Sequence, residues 1–229
     1  NRQQHDQSNK KAHDPAGACM ERYRECMLSS HYGVDAAIPL SQPINTRIDV
    51  SDSNNPRPDR TIALVGLMGA GKSTIGRRLA ARLEIPFVDA DTEIEQAAGC
   101  TIPEIFERHG EAEFREGERR VIARLLRGKP KVLATGGGAF MNEETRQKIK
   151  AKALSIWLRA DLELLMSRVS RRDNRPLLKQ GDPRKTMERL IEERYPVYGE
   201  ADMVIDSNEG PHDAVVGRIV SELRAREAA

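Results

Sequence analysis

Gly66-Leu67-Met68-Gly69-Ala70-Gly71-Lys72-Ser73 is the stretch whose reading decides the fold. It spells G-x-x-x-x-G-K-[ST], the pattern of a loop that cradles phosphate. Glycines let backbone N–H groups converge on phosphate oxygens with no Cβ in the way. Lys72 can then reach the β- and γ-phosphates of a nucleotide, and the Ser73 hydroxyl can ligate Mg2+. The flanks agree with this reading. Thr61–Val65 is a short apolar run that reads as a buried strand. Residues 73–84 read as a helix, with Ile75, Leu79 and Leu83 on one face. A strand, a loop and a helix in that order aim a helix N-terminus at an anion.

Outward from this unit the pattern repeats. Apolar strand-like runs recur at 62–65, 86–88, 131–134, 154–158 and 203–205, separated by charged segments of helical period. One such segment is 113–126, whose apolar positions are Phe114, Val121, Ile122, Leu125 and Leu126. Strands alternating with helices predict an α/β domain from residue 61 to 229, a five-stranded parallel sheet with helices on both faces. In such folds ligands gather at the edge where the strands end. The residues that follow each strand are therefore the candidates for chemistry.

After the second strand comes Asp89-Ala90-Asp91. One carboxylate can support Mg2+ and the other can face an acceptor. The competing reading is helix capping, by Asp91 or Thr92 on a helix at 92–98. After the third strand come Gly136, Gly137 and Gly138, preceded by Thr135. Three glycines cost backbone entropy, which a close approach of backbone to ligand justifies and a plain turn does not. Three arginines stand out. Arg115 has Glu118 at i+3 to hold its guanidinium. Arg175 lies in a charged segment, 171–183, bounded by breakers as a mobile lid would be. Arg194 sits in Glu192-Glu193-Arg194-Tyr195-Pro196. In a chain this charged, a solvated face is the competing reading for each.

The bulk properties set limits. Net charge is +2, from 37 basic and 35 acidic residues, which argues against a nucleic-acid binder but not against a small anionic substrate. No apolar stretch approaches the roughly 20 residues that span a bilayer. Cys19, Cys26 and Cys100 have no metal-ligand spacing, and an odd number of cysteines is no disulfide framework, so a reducing cytoplasm is expected. Residues 1–60 differ from the rest: polar, poor in large aliphatics and balanced at eight acidic and eight basic residues. They have too little apolar surface to offset their ordering entropy and read as a disordered extension, with a short helix conceivable at 17–30. They carry no apolar core of a secretory signal.

Taken together, six elements resemble shikimate kinase over the whole regular domain. They are G-L-M-G-A-G-K-S-T (66–74), D-A-D (89–91), I-F-E-R-H-G-E-A-E-F-R-E-G-E (105–118), T-G-G-G-A (135–139), R-P-L-L (175–178) and E-R-Y-P-V-Y (193–198). The resemblance implies a nucleoside-monophosphate-kinase-like P-loop fold and transfer of the ATP γ-phosphate to the 3-hydroxyl of shikimate. It implies nucleotide contacts at Gly69, Ala70, Gly71, Lys72, Ser73 and Thr74, an adenine contact at Arg168, and an adenine loop near Pro211. It places the substrate carboxylate on Arg115, Arg175 and Arg194. It places the substrate hydroxyls on Asp91 and the glycine run 136–138, and Mg2+ by Ser73 and Asp89. Lys72, Asp91 and Arg175 are the expected catalytic positions. Gly117 inside the Arg115 helix should soften it by about 1 kcal/mol relative to Ala. A monomer with a small-molecule substrate is expected, with no nucleic-acid or membrane partner. The rival readings are a related kinase for a hydroxy acid such as gluconate, and a nucleotide-binding regulator without catalysis.

Overall fold

The structure, a computed structural model, describes residues 56, 58–170, 182–207 and 210–228. Five strands form one parallel sheet: β1 (Thr61–Val65), β2 (Phe87–Asp89), β3 (Val132–Ala134), β4 (Ala153–Arg159) and β5 (Met203–Asp206), in the order β2-β3-β1-β4-β5. β1 lies at the centre and is buried along its whole length. That is why it reads as a continuous apolar run rather than an alternating one: a parallel strand covered on both faces has no solvent side.

Seven helices among the described residues cover the sheet: α1 (Lys72–Leu83), α2 (Ala90–Ala98), α3 (Ile102–Leu125), α4 (Glu143–Lys152), α5 (Leu162–Val169), α6 (Pro183–Tyr198) and α7 (His212–Glu227). A short 3-10 turn, Ala139–Met141, follows the glycine run. The expected α/β class and its five parallel strands are the ones observed, with strand ends shifted by a residue or two.

Two helix starts differ from expectation by more than one residue. Residues 92–98 were read as a helix capped by Asp91 or Thr92, but α2 begins at Ala90 and its cap is Asp89, whose side chain accepts from the Asp91 N–H. α3 starts at Ile102, well before residue 113, because Thr101 and Glu104 form a capping box and a proline stands in the first turn. It is two half-helices that meet at Gly110, where φ is 76° and ψ 175°. Gly117, flagged as the soft point, is buried inside the second half and leaves it continuous.

The extension read at 1–60, with the conceivable helix at 17–30, lies almost entirely outside the described residues. Arg60, at its end, donates to the carbonyls of Lys150 and Ala153 at the foot of β4. Cys100 is disulfide-bonded, which corrects the reading that set all three cysteines outside any disulfide. Among the described residues no helix is long and apolar enough to cross a membrane.

Candidate active site

The strand ends open into a cleft with two lobes. The first lies over the phosphate loop and encloses about 310 Å3, with Gly69, Lys72, Thr74, Arg168 and His212 on its walls. The second encloses about 360 Å3, walled by Arg115, Glu118, Arg194, Gly136 and Gly138 on one side and by Ile102, Pro103, Phe106 and Phe114 on the other. Met68, Ser73, Asp89, Asp91 and Gly137 line both, so the lobes share one floor.

The first lobe is made mainly of backbone. Gly71 occupies the N-cap position of α1 with φ 95°, a left-handed conformation, and offers no side chain to the helix. A Cβ on Gly66, at φ 137°, would stand 2.7 Å from the Leu158 carbonyl. The helices α2 to α6 are each capped by a side chain: Asp89, Thr101, Asn142, Asp161 and Asp182. α1 and α7 have no such cap, and the first residue of each, Lys72 and His212, faces this lobe. Uncapped first-turn N–H groups carry the positive end of the helix dipole, which suits phosphate.

Lys72 donates to the carbonyls of Gly66 and Leu67, at 2.7 and 3.0 Å, so its ammonium lies against the loop. Arg168 reaches the same loop from α5, donating to the carbonyls of Gly69 and Ala70 and, at 3.0 Å, to the Ser207 hydroxyl. Pro211 is exposed and precedes the first residue of α7 without capping it, and its neighbour His212 is the residue that faces the lobe. Ala70 is buried, so only its backbone is placed to meet a ligand.

At the shared floor the Ser73 hydroxyl donates to Asp89 Oδ2 at 2.6 Å, while Asp89 Oδ1 caps α2. With Asp89 doing the capping, the Asp91 carboxylate is left on the cleft side. The Ser73–Asp89 pair fits Mg2+ by donor chemistry: two hard oxygens side by side at a phosphate loop, where the remaining positions go to water and nucleotide oxygens. Among the described residues no cluster of acidic, His or Cys side chains could cage a metal without such help.

The second lobe is made of charged side chains drawn from four elements. Arg115 on α3 donates to Glu118 at 2.8 Å and to Glu111 at 3.0 Å, and lies over the Phe114 ring at 5.1 Å. Burial works against its charge, but Glu118 and Glu111 outweigh that and hold its pKa above the ordinary arginine value. Glu118, only 2% exposed, shows the opposite balance. Burial raises its pKa more than Arg115 and Arg194 lower it, and the nearby Asp91 charge pushes the same way as burial.

The glycine run explains itself here. A Cβ on Gly138 would meet the Arg115 guanidinium at 2.5–2.7 Å, and one on Gly136 would strike Glu118 Oε1 and stand 3.0 Å from Asp91 Oδ1. These glycines leave room for the charge network. Phe106 and Phe114 face each other at 4.7 Å and form the apolar wall.

Of the residues singled out from sequence, the structure brings Lys72, Ser73, Thr74, Asp89, Asp91, Arg115, Gly136, Gly137, Gly138, Arg168 and Arg194 around one cleft. Arg175 and the segment read as a lid at 171–183 lie outside the described residues, except for Asp182 and Pro183, which cap and start α6. Sequence reading passed over His212, Ser207 and Tyr198. Tyr198 could have been noticed as the i+4 neighbour of Arg194, since that spacing stacks two side chains on one helix face.

A phosphate loop on a five-stranded parallel sheet, opening onto a pocket of arginines and carboxylates, defines a P-loop small-molecule kinase. The shikimate kinase family model matches residues 68–224. Shikimate kinase of Bradyrhizobium diazoefficiens is 60% identical over 191 residues, 83% of this chain and 90% of its own length. That of Rhodopseudomonas palustris is 62% identical over 165 residues, 72% of this chain and 81% of its own. Among solved structures, shikimate kinase from Acinetobacter baumannii in complex with shikimate superposes with a TM-score of 0.72 at 39% identity, covering 74% of this chain and 96% of the other. The chain belongs to the shikimate kinase family.

Proposed function

We infer that the chain transfers the γ-phosphate of ATP to the 3-hydroxyl of shikimate, giving shikimate 3-phosphate and ADP. One observation carries the reading: a phosphate-binding lobe and a lobe matched to a small hydroxylated acid share a floor at Ser73, Asp89, Asp91 and Gly137. The likeness to the A. baumannii enzyme, solved with shikimate, supports the choice of acceptor.

Phosphoryl transfer asks little covalent chemistry of a protein and much positioning and charge neutralisation. The N–H groups of the loop and of the first turn of α1 hold the phosphates. Lys72 exchanges its loop carbonyls for β- and γ-phosphate oxygens. Mg2+, held by Ser73 and supported by Asp89, neutralises phosphate charge when bound. Arg168 braces the loop at the adenine end, and Arg175 adds charge from the 171–183 segment.

In the other lobe Arg115 and Arg194 hold the acceptor carboxylate, since guanidinium forks match carboxylates in shape. Glu118 fixes the Arg115 fork, and the Phe106–Phe114 wall packs against the carbocycle. Asp91 and the glycine run orient the hydroxyls. A loose transition state needs little help from a base, so Asp91 acts mainly by placing the accepting oxygen, with proton uptake secondary.

A coupled ADP-release assay with shikimate, with gluconate and with no acceptor tests the reading. ADP release should depend on shikimate. A preference for gluconate moves the chain to a neighbouring kinase activity, and release that no acceptor stimulates restores the regulator.

A further inference from the structure

The three glycine carbonyls next to the acceptor lobe are all spoken for, but not alike. Gly136 O accepts from the Ala139 N–H at 3.2 Å and Gly138 O from the Met141 N–H at 3.1 Å, both within the 3-10 turn. Gly137 O accepts instead from a side chain, the hydroxyl of Tyr198. Tyr198 ends α6 and is completely buried. Its ring is seated against Trp157 and Tyr195, at 5.9 and 6.3 Å between centroids. Arg194, one turn earlier on the same helix, stands close by: its charge acts on the Tyr198 hydroxyl, and its Nη1 would lie 3.5 Å from a Cβ on Gly137. The hydroxyl therefore holds the glycine backbone directly, beside a guanidinium that lines the same lobe.

We propose that Tyr198 is a positioning residue for the acceptor, which sets Arg194 and the glycine run in register with one another. This rests on the shikimate kinase reading above. A planar trans peptide points its N–H opposite to its carbonyl. Holding Gly137 O on Tyr198 thus turns the Gly138 N–H away from Tyr198, and Gly138 lines the acceptor lobe. The same backbone lies against the Arg194 guanidinium, so a fixed glycine run restricts the swing of a long side chain that would otherwise sample many rotamers. Gly137 belongs to the shared floor, but the groups the relay sets, Arg194 and the Gly138 N–H, line the acceptor lobe and not the phosphate lobe, so the effect falls mainly on the acceptor.

Tyr198→Phe in the full chain removes one oxygen and keeps the ring. Tyr195→Phe is the matched control, because its hydroxyl also bonds a carbonyl, that of Ala160, at a distance from the glycine run. Both variants should melt lower than the parent. Only Tyr198→Phe should raise the shikimate KM, by about tenfold for a broken buried hydrogen bond, with the ATP KM held within about twofold. In an Arg194→Ala background the same change should add much less, since part of its route is already lost.

Amide exchange of residues 135–141 in the ligand-free protein should quicken in Tyr198→Phe and not in Tyr195→Phe. An unchanged shikimate KM, an equal rise for ATP, or full additivity with Arg194→Ala overturns the proposal while leaving the kinase reading intact. If the parent enzyme does not use shikimate, the kinase reading falls, and the exchange experiment alone decides whether the hydroxyl clamps the glycine run. Exchange that does not quicken overturns the clamp.

Discussion

The two lobes of the cleft are built in opposite ways. The nucleotide lobe is built mainly on one contiguous stretch, the loop and the start of α1, with left-handed glycines and N–H groups, and Arg168 and His212 reach it from α5 and α7. The acceptor lobe is assembled from α2, the glycine run after β3, α3 and α6, and most of its working groups are side chains that hold one another. The first kind of site tolerates sequence change wherever backbone geometry survives. The second depends on each partner, because a buried charge that loses its counter-charge must be desolvated alone.

The sharpest way to break this contrast is Lys72→Ala, which removes the ammonium that lies against the phosphate loop. Turnover should fall by roughly 10²–10³-fold, as for other lost electrostatic contacts to developing charge. Lys72 is only partly buried, so the melting temperature should barely move. Retention of more than about a tenth of the parent kcat would contradict the role.

On the other side, Arg115→Ala should cost about 2–5 kcal/mol in acceptor binding, seen as a higher shikimate KM, with the ATP KM little changed. It should also lower stability, because Glu118 is left buried without its main cation. Adding Glu118→Gln should recover the stability and not the KM. Recovery of both would mean that Arg115 serves only the fold.

Asp91→Asn sharpens the comparison at the shared floor. If Asp91 mainly positions the acceptor, the shikimate KM should rise by roughly tenfold and kcat should change less. A kcat loss of 10²–10⁴ would make it a general base instead. Unaltered steady-state constants, with circular dichroism confirming the fold, would leave Asp91 no more than a residue of the first helical turn.

Gly138→Ala should act through Arg115 without touching any ligand, since the new methyl would stand 2.5–2.7 Å from its guanidinium. A rise in the shikimate KM smaller than that of Arg115→Ala is expected. An unaffected KM would show that the guanidinium has room to yield.

The smallest effect is on stability at high pH. Burial pushes the Tyr198 hydroxyl from an ordinary value near 10 to about 12. The folded state thus holds this proton more tightly than the unfolded chain does. The contribution is complete below pH 10 and is lost as pH rises through 12. Denaturant midpoints measured from pH 9 upward should fall less steeply in Tyr198→Phe than in the parent.

This contrast also explains what could be read from sequence. The loop at 66–73 declares itself because its function is local: spacing alone places the groups. Asp89 and Asp91 were visible as a pair, but which of them caps α2 depends on backbone torsions at a strand end. Arg115 could be matched to Glu118 by helix spacing, yet its relation to Gly138 spans two elements and is carried by no periodicity. The early start of α3 was missed because Pro103 and Gly110 look like breakers, although one fits the first turn and the other makes a joint.

That joint has a consequence for what the pocket will admit. Ile102, Pro103 and Phe106 belong to the half-helix before Gly110, and Phe114, Arg115 and Glu118 to the half after it. A Cβ on Gly110 would meet nothing within 4 Å, so the chain there is unencumbered as well as left-handed. The two half-helices that wall the pocket therefore meet at a single glycine joint, with the Phe106–Phe114 contact bridging them. The separation of the two walls is thus written into the backbone angle at one glycine, away from the sheet.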